Sequence, residues 1–288
     1  MFFRWDWLQP QLTAPIVPTL GPVHPDALSV GIFEDILRAA GTGIFLPYDK
    51  DRRWGGEKDE RVLREDVVHQ RERTLIPTLI RRGRGAVKVF AYGFPDNVVD
   101  EATELAAKLA ARYDVVNARV VRPLGARTAH PCGTRIQLRY FTPSACPAPD
   151  GQVLPVTDWP TAVQETFAPF AKAMAAEGLA FLHARVQEGH CGPVLTAAVK
   201  NRIVGAIGPM EIRPDAIRCP QLMPQYFAVL PHARGQGLGR RLWRAAMHWG
   251  QGHGAAYQLL QTEVGGPSDQ LCLSEGLTSL GFSHTTHV

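Results

Sequence analysis

The chain has 288 residues, 45% of them hydrophobic and 20% charged, with a formal net charge of +4. That length is long for one small domain and suits two, and the apolar share is enough to fill two cores. So mild a positive balance argues against a nucleic-acid partner, and no uninterrupted apolar run reaches membrane-spanning length.

The first two dozen residues are rich in Pro and aromatics (Trp5, Trp7, Pro10, Pro15, Pro18, Pro22, Pro25) and are expected to be extended. A short helix is expected over residues 32–39, a charged loop over 48–56, and a long charged helix over 58–82 with Pro77 near its end. Residues 86–91 read as a strand, 97–112 as a helix with Leu105 and Leu109 on its apolar face, and 115–121 as another strand. Residues 1–132 therefore read as an α/β domain without a recognisable catalytic cluster and without a sequence repeat of the second half. Trp54, Glu57 and Asp59 are placed either to close over a ligand or to form a solvated surface.

From residue 133 the expected order is fuller. Residues 136–141 alternate apolar and polar as a half-buried strand does, and a Pro- and Ser-rich linker follows to about residue 151. Thr157-Asp158-Trp159-Pro160 reads as a helix start. Val163, Phe167, Phe170, Met174 and Leu182 give that stretch a buried face, and Pro169 is expected to split it. Residues 194–199 and 202–212 read as a hairpin turning at Lys200-Asn201, and 225–230 as a central strand. A helix with Leu238, Leu242, Ala246 and Trp249 on one face ends at Gly252 and Gly254. A strand over 256–264, a helix over 269–279 and a last strand from Gly281-Phe282 complete the chain.

Five cysteines, Cys132, Cys146, Cys191, Cys219 and Cys272, are scattered and odd in number, which reads as free thiols in a reducing cytosol. His130-Pro131-Cys132 and His190-Cys191 lack ligand spacing, so no metal is expected. Residues 1–7 carry no basic stretch ahead of an apolar run, so no secretory leader is expected and the location reads as cytoplasmic.

The most specific segment is Val229-Leu230-Pro231-His232-Ala233-Arg234-Gly235-Gln236-Gly237-Leu238-Gly239, an apolar strand running into a glycine-rich turn that opens a helix. Glycines there permit positive φ or close backbone approach. The first helical amides lack intrahelical partners and carry the positive end of the dipole, so the turn suits a phosphate or pyrophosphate. A P-loop would need a Lys after these glycines, and a dinucleotide fingerprint would need a third Gly where Arg240 stands. The pattern Arg/Gln-x-x-Gly-x-Gly/Ala is met in full by Arg234 to Gly239. With the preceding Val-x-Pro and the downstream Leu280-Gly281-Phe282, the second half resembles the GCN5-related N-acetyltransferases (GNAT), over about half the chain.

The resemblance implies an α+β fold with a mixed sheet: an acetyltransferase domain over 133–288, and an N-terminal domain over 1–132 with an acceptor-side or structural role. That N-terminal domain is compatible with a degenerate half of the same fold. The resemblance also implies acetyl-CoA as co-substrate. Main-chain groups of Val229 and Leu230 would meet the pantetheine arm and thioester, and the amides of Arg234, Gly235, Gln236, Gly237, Leu238 and Gly239 the pyrophosphate. Arg240, Arg241 or Arg244 would take the 3′-phosphate, against the alternative of a solvated helix face. Glu263, in Thr262-Glu263-Val264, is the first candidate for general base, and Glu211 the second. The Tyr that many members use as general acid is replaced by Leu277.

The implied acceptor is a primary amine of a small molecule. Overall size and opening resemble the kasugamycin 2′-N-acetyltransferases, which points to an aminoglycoside and to antibiotic resistance. A protein or peptide N-terminal acetyltransferase and a non-catalytic acetyl-CoA sensor remain as alternatives. Neither nucleic acid nor membrane is an expected partner, and the resemblance leaves room for a homodimer.

Overall fold

A computed structural model describes residues 3–94, 97–142, 153–189 and 191–288. The elements follow in chain order as α1 (Trp5–Leu8), β1 (Ile16–Val17), β2 (Gly21–Pro22), α2 (Val30–Ala39), β3 (Arg61–Val62), β4 (Val68–His69), β5 (Arg73–Ile80), β6 (Ala86–Gly93), α3 (Asn97–Tyr113), β7 (Asn117–Leu124) and β8 (Thr134–Tyr140). Then come β9 (Val153–Pro155), α4 (Thr161–Gln164), α5 (Phe167–Ala173), α6 (Leu179–Gln187), β10 (Leu195–Val199), β11 (Arg202–Gly208), β12 (Ile212–Pro214), β13 (Pro220–Leu222) and β14 (Tyr226–Val229). The chain ends with α7 (Leu238–Gly252), β15 (Tyr257–Glu263), α8 (Pro267–Ser274) and β16 (Thr278–His287). The fold is α+β with mixed sheet pairing. It divides into two compact units, residues 1–139, 215–218 and 259–288 in the first, 140–214 and 219–258 in the second.

In the first unit β5 and β6 form an antiparallel hairpin, and β6 connects through α3 to the parallel strand β7. β16 lies antiparallel to β7 on one edge and to β8 on the other. Val98, Ala102, Ala106 and Leu109, spaced at helical intervals on α3, are buried against Leu75, Leu79, Val87, Val89 and Val120. The long helix expected over 58–82 is replaced by β3, β4 and β5. The reason lies in Thr74-Leu75-Ile76-Pro77-Thr78-Leu79, which is buried on both faces as an inner strand is. Pro77 would break a helix, but here its carbonyl accepts the Leu63 amide at 2.9 Å. Two further corrections concern the ends of this unit. The N-terminal stretch contains α1 and a 3₁₀ turn (Gln9–Gln11) rather than being extended throughout. The helix expected over 269–279 is Pro267–Ser274, with β16 starting at Thr278.

The second unit holds a four-stranded antiparallel sheet in the order β14-β11-β10-β9. Lys200 and Asn201 make its β10–β11 turn with φ of 49° and 60°, the hand that a two-residue hairpin requires. Val163, Phe167, Phe170, Met174, Leu179 and Leu182 pack on Ile203, Ala206 and Ala228, as their helical spacing predicts. Pro169 sits inside the first turn of α5 and splits nothing; the breaks fall at Glu165-Thr166 and at Gly178. The strand expected over 202–212 ends at Gly208, because Pro209 follows, and Ile212–Pro214 pairs instead with β13. Most of the expected linker before residue 151 lies outside the described residues, and β9 follows directly after the undescribed stretch. The order strand, antiparallel strand, helix (β5, β6, α3) is matched by β11, β14 and α7, but β14 does not pair with β15, whose parallel partner is β13.

Candidate functional site

β13 and β15 are parallel at Gln221↔Tyr257 and Leu222↔Gln258. Beyond Leu222 the chain leaves β15 and joins β11, and past that point a side-chain bond bridges the two, Gln258 Nε2 donating to Gln225 Oε1 at 2.7 Å. β14 is thereby an edge of its own sheet. Its register with β11 pairs Ala206↔Ala228 and Gly208↔Tyr226, and the Leu230 amide donates to the Val204 carbonyl at 2.8 Å. By antiparallel alternation the N–H groups of Phe227 and Val229 point away from β11 toward the open edge. The Val229 carbonyl accepts Arg234 Nε at 3.0 Å, and the Leu230 carbonyl accepts the Ala233 amide at 2.9 Å. Both main-chain groups of Leu230 are therefore engaged within the protein, whereas Val229 keeps an outward N–H.

Between β14 and α7, Pro231–Ala233 makes one 3₁₀ turn, and Arg234 to Gly237 complete the loop. Gly235 and Gly237 have φ of +77° and +76°, and a Cβ at either would meet nothing within 4 Å. Glycine is required there by backbone hand, not by space. Placing an L side chain in this left-handed region costs about 1–2 kcal/mol. Gly239 is helical, and its Cβ would make only ordinary contact with the Phe227 ring at 3.5 Å. Among the described residues, the five consecutive amides of Gly235, Gln236, Gly237, Leu238 and Gly239 find no acceptor within the protein. The first turn closes only at the Arg241 amide, which donates to Gly237 O at 3.1 Å. All five residues are exposed or half-buried except Leu238, whose side chain is buried. Converging N–H groups on a helix N-terminus can hold an anion.

What fixes α7 in place is its apolar face: Leu238, Leu242, Trp243, Ala245, Ala246 and Met247 are buried. Gly205 on β11 allows this approach, since a Cβ there would lie 2.8 Å from Leu242 Cδ1. Arg240, Arg241 and Arg244 stand exposed on the other side of the helix. Arg234 also lies 4.0 Å from Glu177.

The two candidate bases have different surroundings. Glu211 follows β11 rather than lying on it, and its carboxylate accepts Arg213 Nε at 2.5 Å. Glu263 is the exposed last residue of β15. Its backbone is held on both sides: Gly266 N donates to Glu263 O at 3.0 Å, and Val264 N to Gly133 O at 2.9 Å. Behind it lies a buried network that sequence reasoning missed. Asp269, 2% exposed in the first turn of α8, accepts Arg135 Nε at 2.8 Å, Gln137 Nε2 at 3.0 Å and Thr262 Oγ1 at 2.9 Å on Oδ1. On Oδ2 it accepts the Gly265 amide at 3.0 Å and Arg135 Nη2 at 3.4 Å. Burial pushes its carboxyl up, but the Arg135, Gly265 and Thr262 hydrogen bonds and the Arg135 charge outweigh it and hold the group below the usual carboxylate range. The available signal was the polar pair Gln137 and Thr262 at inward positions of strands β8 and β15.

Among the described residues no group of three or more His, Cys, Asp or Glu side chains is arranged to hold a metal, and Cys132, Cys191, Cys219 and Cys272 form no disulfide; Cys146 and His190 lie outside them. No described helix is long and apolar enough to cross a membrane.

Residues 157–269 match the family model described as the acetyltransferase (GNAT) family. That segment is similar to the acetyltransferases of the GNAT family. No curated protein matches the chain. Among solved structures, a GCN5-related N-acetyltransferase from Sphaerobacter thermophilus is 13% identical with a TM-score of 0.49, covering 92% of this chain and 94% of that one. A GNAT-family acetyltransferase from Colwellia psychrerythraea is 12% identical with a TM-score of 0.47, covering 90% and 97%. A tandem GNAT protein from the clavulanic acid biosynthesis pathway is 13% identical with a TM-score of 0.43, covering 75% and 79%.

Proposed function

We propose that the protein transfers the acetyl group of acetyl-CoA to a primary amine of a small molecule, with a kasugamycin-type aminoglycoside as the acceptor. The observation that carries the reading is the run of unpaired amides from Gly235 to Gly239 at the start of α7, inside the segment that matches the acetyltransferase family. In this reading residues 133–288 bind the donor and carry the chemistry, and residues 1–132 serve the acceptor side or the scaffold. The amides hold the pyrophosphate, and an arginine of the exposed row Arg240, Arg241, Arg244 takes the 3′-phosphate. The outward N–H of Val229 is the main-chain donor that faces the acyl-pantetheine arm.

Glu263 acts as general base. A protonated amine has no lone pair, so the carboxylate accepts a proton from the ammonium group, directly or through water. The amine nitrogen then bonds to the thioester carbon, the carbon–sulfur bond breaks, and coenzyme A leaves as thiolate, while the nitrogen gives its second proton to that thiolate, directly or through water. A thiol ionises readily enough that the leaving group does not need a strong acid. This fits Leu277, which is buried and has no proton to give. Glu211, already paired with Arg213, is the weaker candidate.

The acidic residues of the N-terminal half offer a polycation less than their number suggests. Asp49 is engaged by Lys58, Asp59 accepts the Arg81 and Arg82 amides, and Glu60 pairs with Thr78 and Lys88. Glu263 has no such partner among the described residues. The test is to follow free-thiol release from acetyl-CoA with kasugamycin, other aminoglycosides and short peptides. Turnover with kasugamycin or a relative supports the proposal. Turnover with peptides alone makes the protein an N-terminal acetyltransferase, and tight binding without release makes it a sensor.

A further inference from the structure

The carboxylate of Asp269 is buried, and it is tied to the chain on both sides of Glu263. It accepts from the side chain of the residue before Glu263 (Thr262, 2.9 Å) and from the amide two residues after it (Gly265, 3.0 Å). Its other donors, Arg135 and Gln137, come from β8, a strand far away in sequence. Gln137 is turned so that its NH₂ serves both Thr262 and Asp269, while its carbonyl oxygen stays buried without a partner. An amide that serves only packing would turn to satisfy its oxygen; this one is held by the two acceptors. Arg135 also lies over the Phe282 ring, 4.8 Å from its centroid, so the clamp extends into β16.

We propose that Asp269 is a positioning residue for the general base: with Arg135, Gln137 and Thr262 it fixes the turn after β15, so that the Glu263 carboxylate is presented in one place. This rests on the reading of Glu263 as base. The reason for such a clamp is geometric, since Glu263 is an exposed strand-end side chain and only its backbone can be held from within. A misplacement of about 1 Å at a reacting group costs on the order of a hundredfold in rate.

The experiment compares wild type, Glu263→Gln, Asp269→Asn and the double variant, with acetyl-CoA and kasugamycin. Thioester hydrolysis without an amine, which needs a base at the same place, is the second readout. Asp269→Asn should lower kcat by about tenfold to a hundredfold with KM for acetyl-CoA unchanged. The same change in the Glu263→Gln background should have no further effect, because the two residues act through one group. Thr262→Val, which removes one hydroxyl from the clamp, should give a smaller loss of the same kind even if Asp269→Asn folds poorly. If the double variant shows the product of the two single losses, or if KM for acetyl-CoA rises with the loss of kcat, Asp269 is a structural residue only and the proposal fails. If Glu263→Gln leaves both reactions unchanged, the base assignment fails first. Absence of both reactions in the wild type removes the catalytic reading and the positioning role with it.

Discussion

Gly237→Ala and Gly239→Ala add the same methyl group two residues apart, and the structure predicts opposite signs. Gly237 has φ +76° and ψ 0°, so alanine there meets no neighbour but is forced into left-handed backbone. That strain is about 1–2 kcal/mol, and the loss of chain entropy in the unfolded state offsets about 0.4–1 kcal/mol of it. That offset changes folding stability only; within the folded protein the turn will relieve the full strain by rotating, which takes its amides off the anion. A bias of 1–2 kcal/mol away from the binding shape weakens acetyl-CoA binding about 5- to 30-fold. Gly239 is already helical and its new methyl group would rest 3.5 Å from Phe227. Alanine there gains about 0.5–1 kcal/mol of helix stability and leaves affinity within about twofold. Isothermal titration with acetyl-CoA and thermal unfolding of both variants test the pair. A Gly237→Ala protein that melts higher than wild type and binds equally well would refute the assignment of the turn.

Three further outcomes follow from the same structure. Asp269 is held below the unfolded carboxylate value of about 3.9. Its stabilisation is therefore complete above that pH and is lost as pH falls through the folded value; chemical denaturation of Asp269→Asn should show a deficit at pH 7 that closes in acid, and a constant deficit would contradict the ion pair. Replacement of Glu263 by Gln should slow acetyl transfer most at pH values below the pKa of the acceptor amine, where the proton must be removed; an unchanged pH–rate profile eliminates it as base. Cys132 is exposed, whereas burial, with Asp269 and Glu275 adding to it, pushes the Cys272 thiol up to about 12. Peptide mapping after N-ethylmaleimide at pH 8 should find Cys132 modified first and Cys272 unmodified, and early loss of Cys272 would disprove its burial.

The second half of the chain was legible because its signals are local. The alternation before Lys200-Asn201 and the glycine spacing after Val229 each fix a strand end or a helix start within a few residues. The errors came where tertiary context decides. Residues 58–82 carry enough charge to look helical, but Thr74 to Ile80 pair with β6 and bury both faces, which no helix period reveals. β8 reads correctly as a strand, yet its partner β16 is more than a hundred residues away, and nothing in either segment announces the pairing. Asp269 was invisible for the same reason: its donors on β8 lie over 130 residues away in sequence.

The central claim is that bare amides at the head of α7 hold the diphosphate of coenzyme A. Calorimetric titration with acetyl-CoA, beside acetylpantetheine that lacks the diphosphate and the 3′-phosphorylated adenosine, tests it most directly. Saturable heat with acetyl-CoA and none with acetylpantetheine at the same concentration is the expected result. Equal binding of the two, or no heat from acetyl-CoA, would contradict the account.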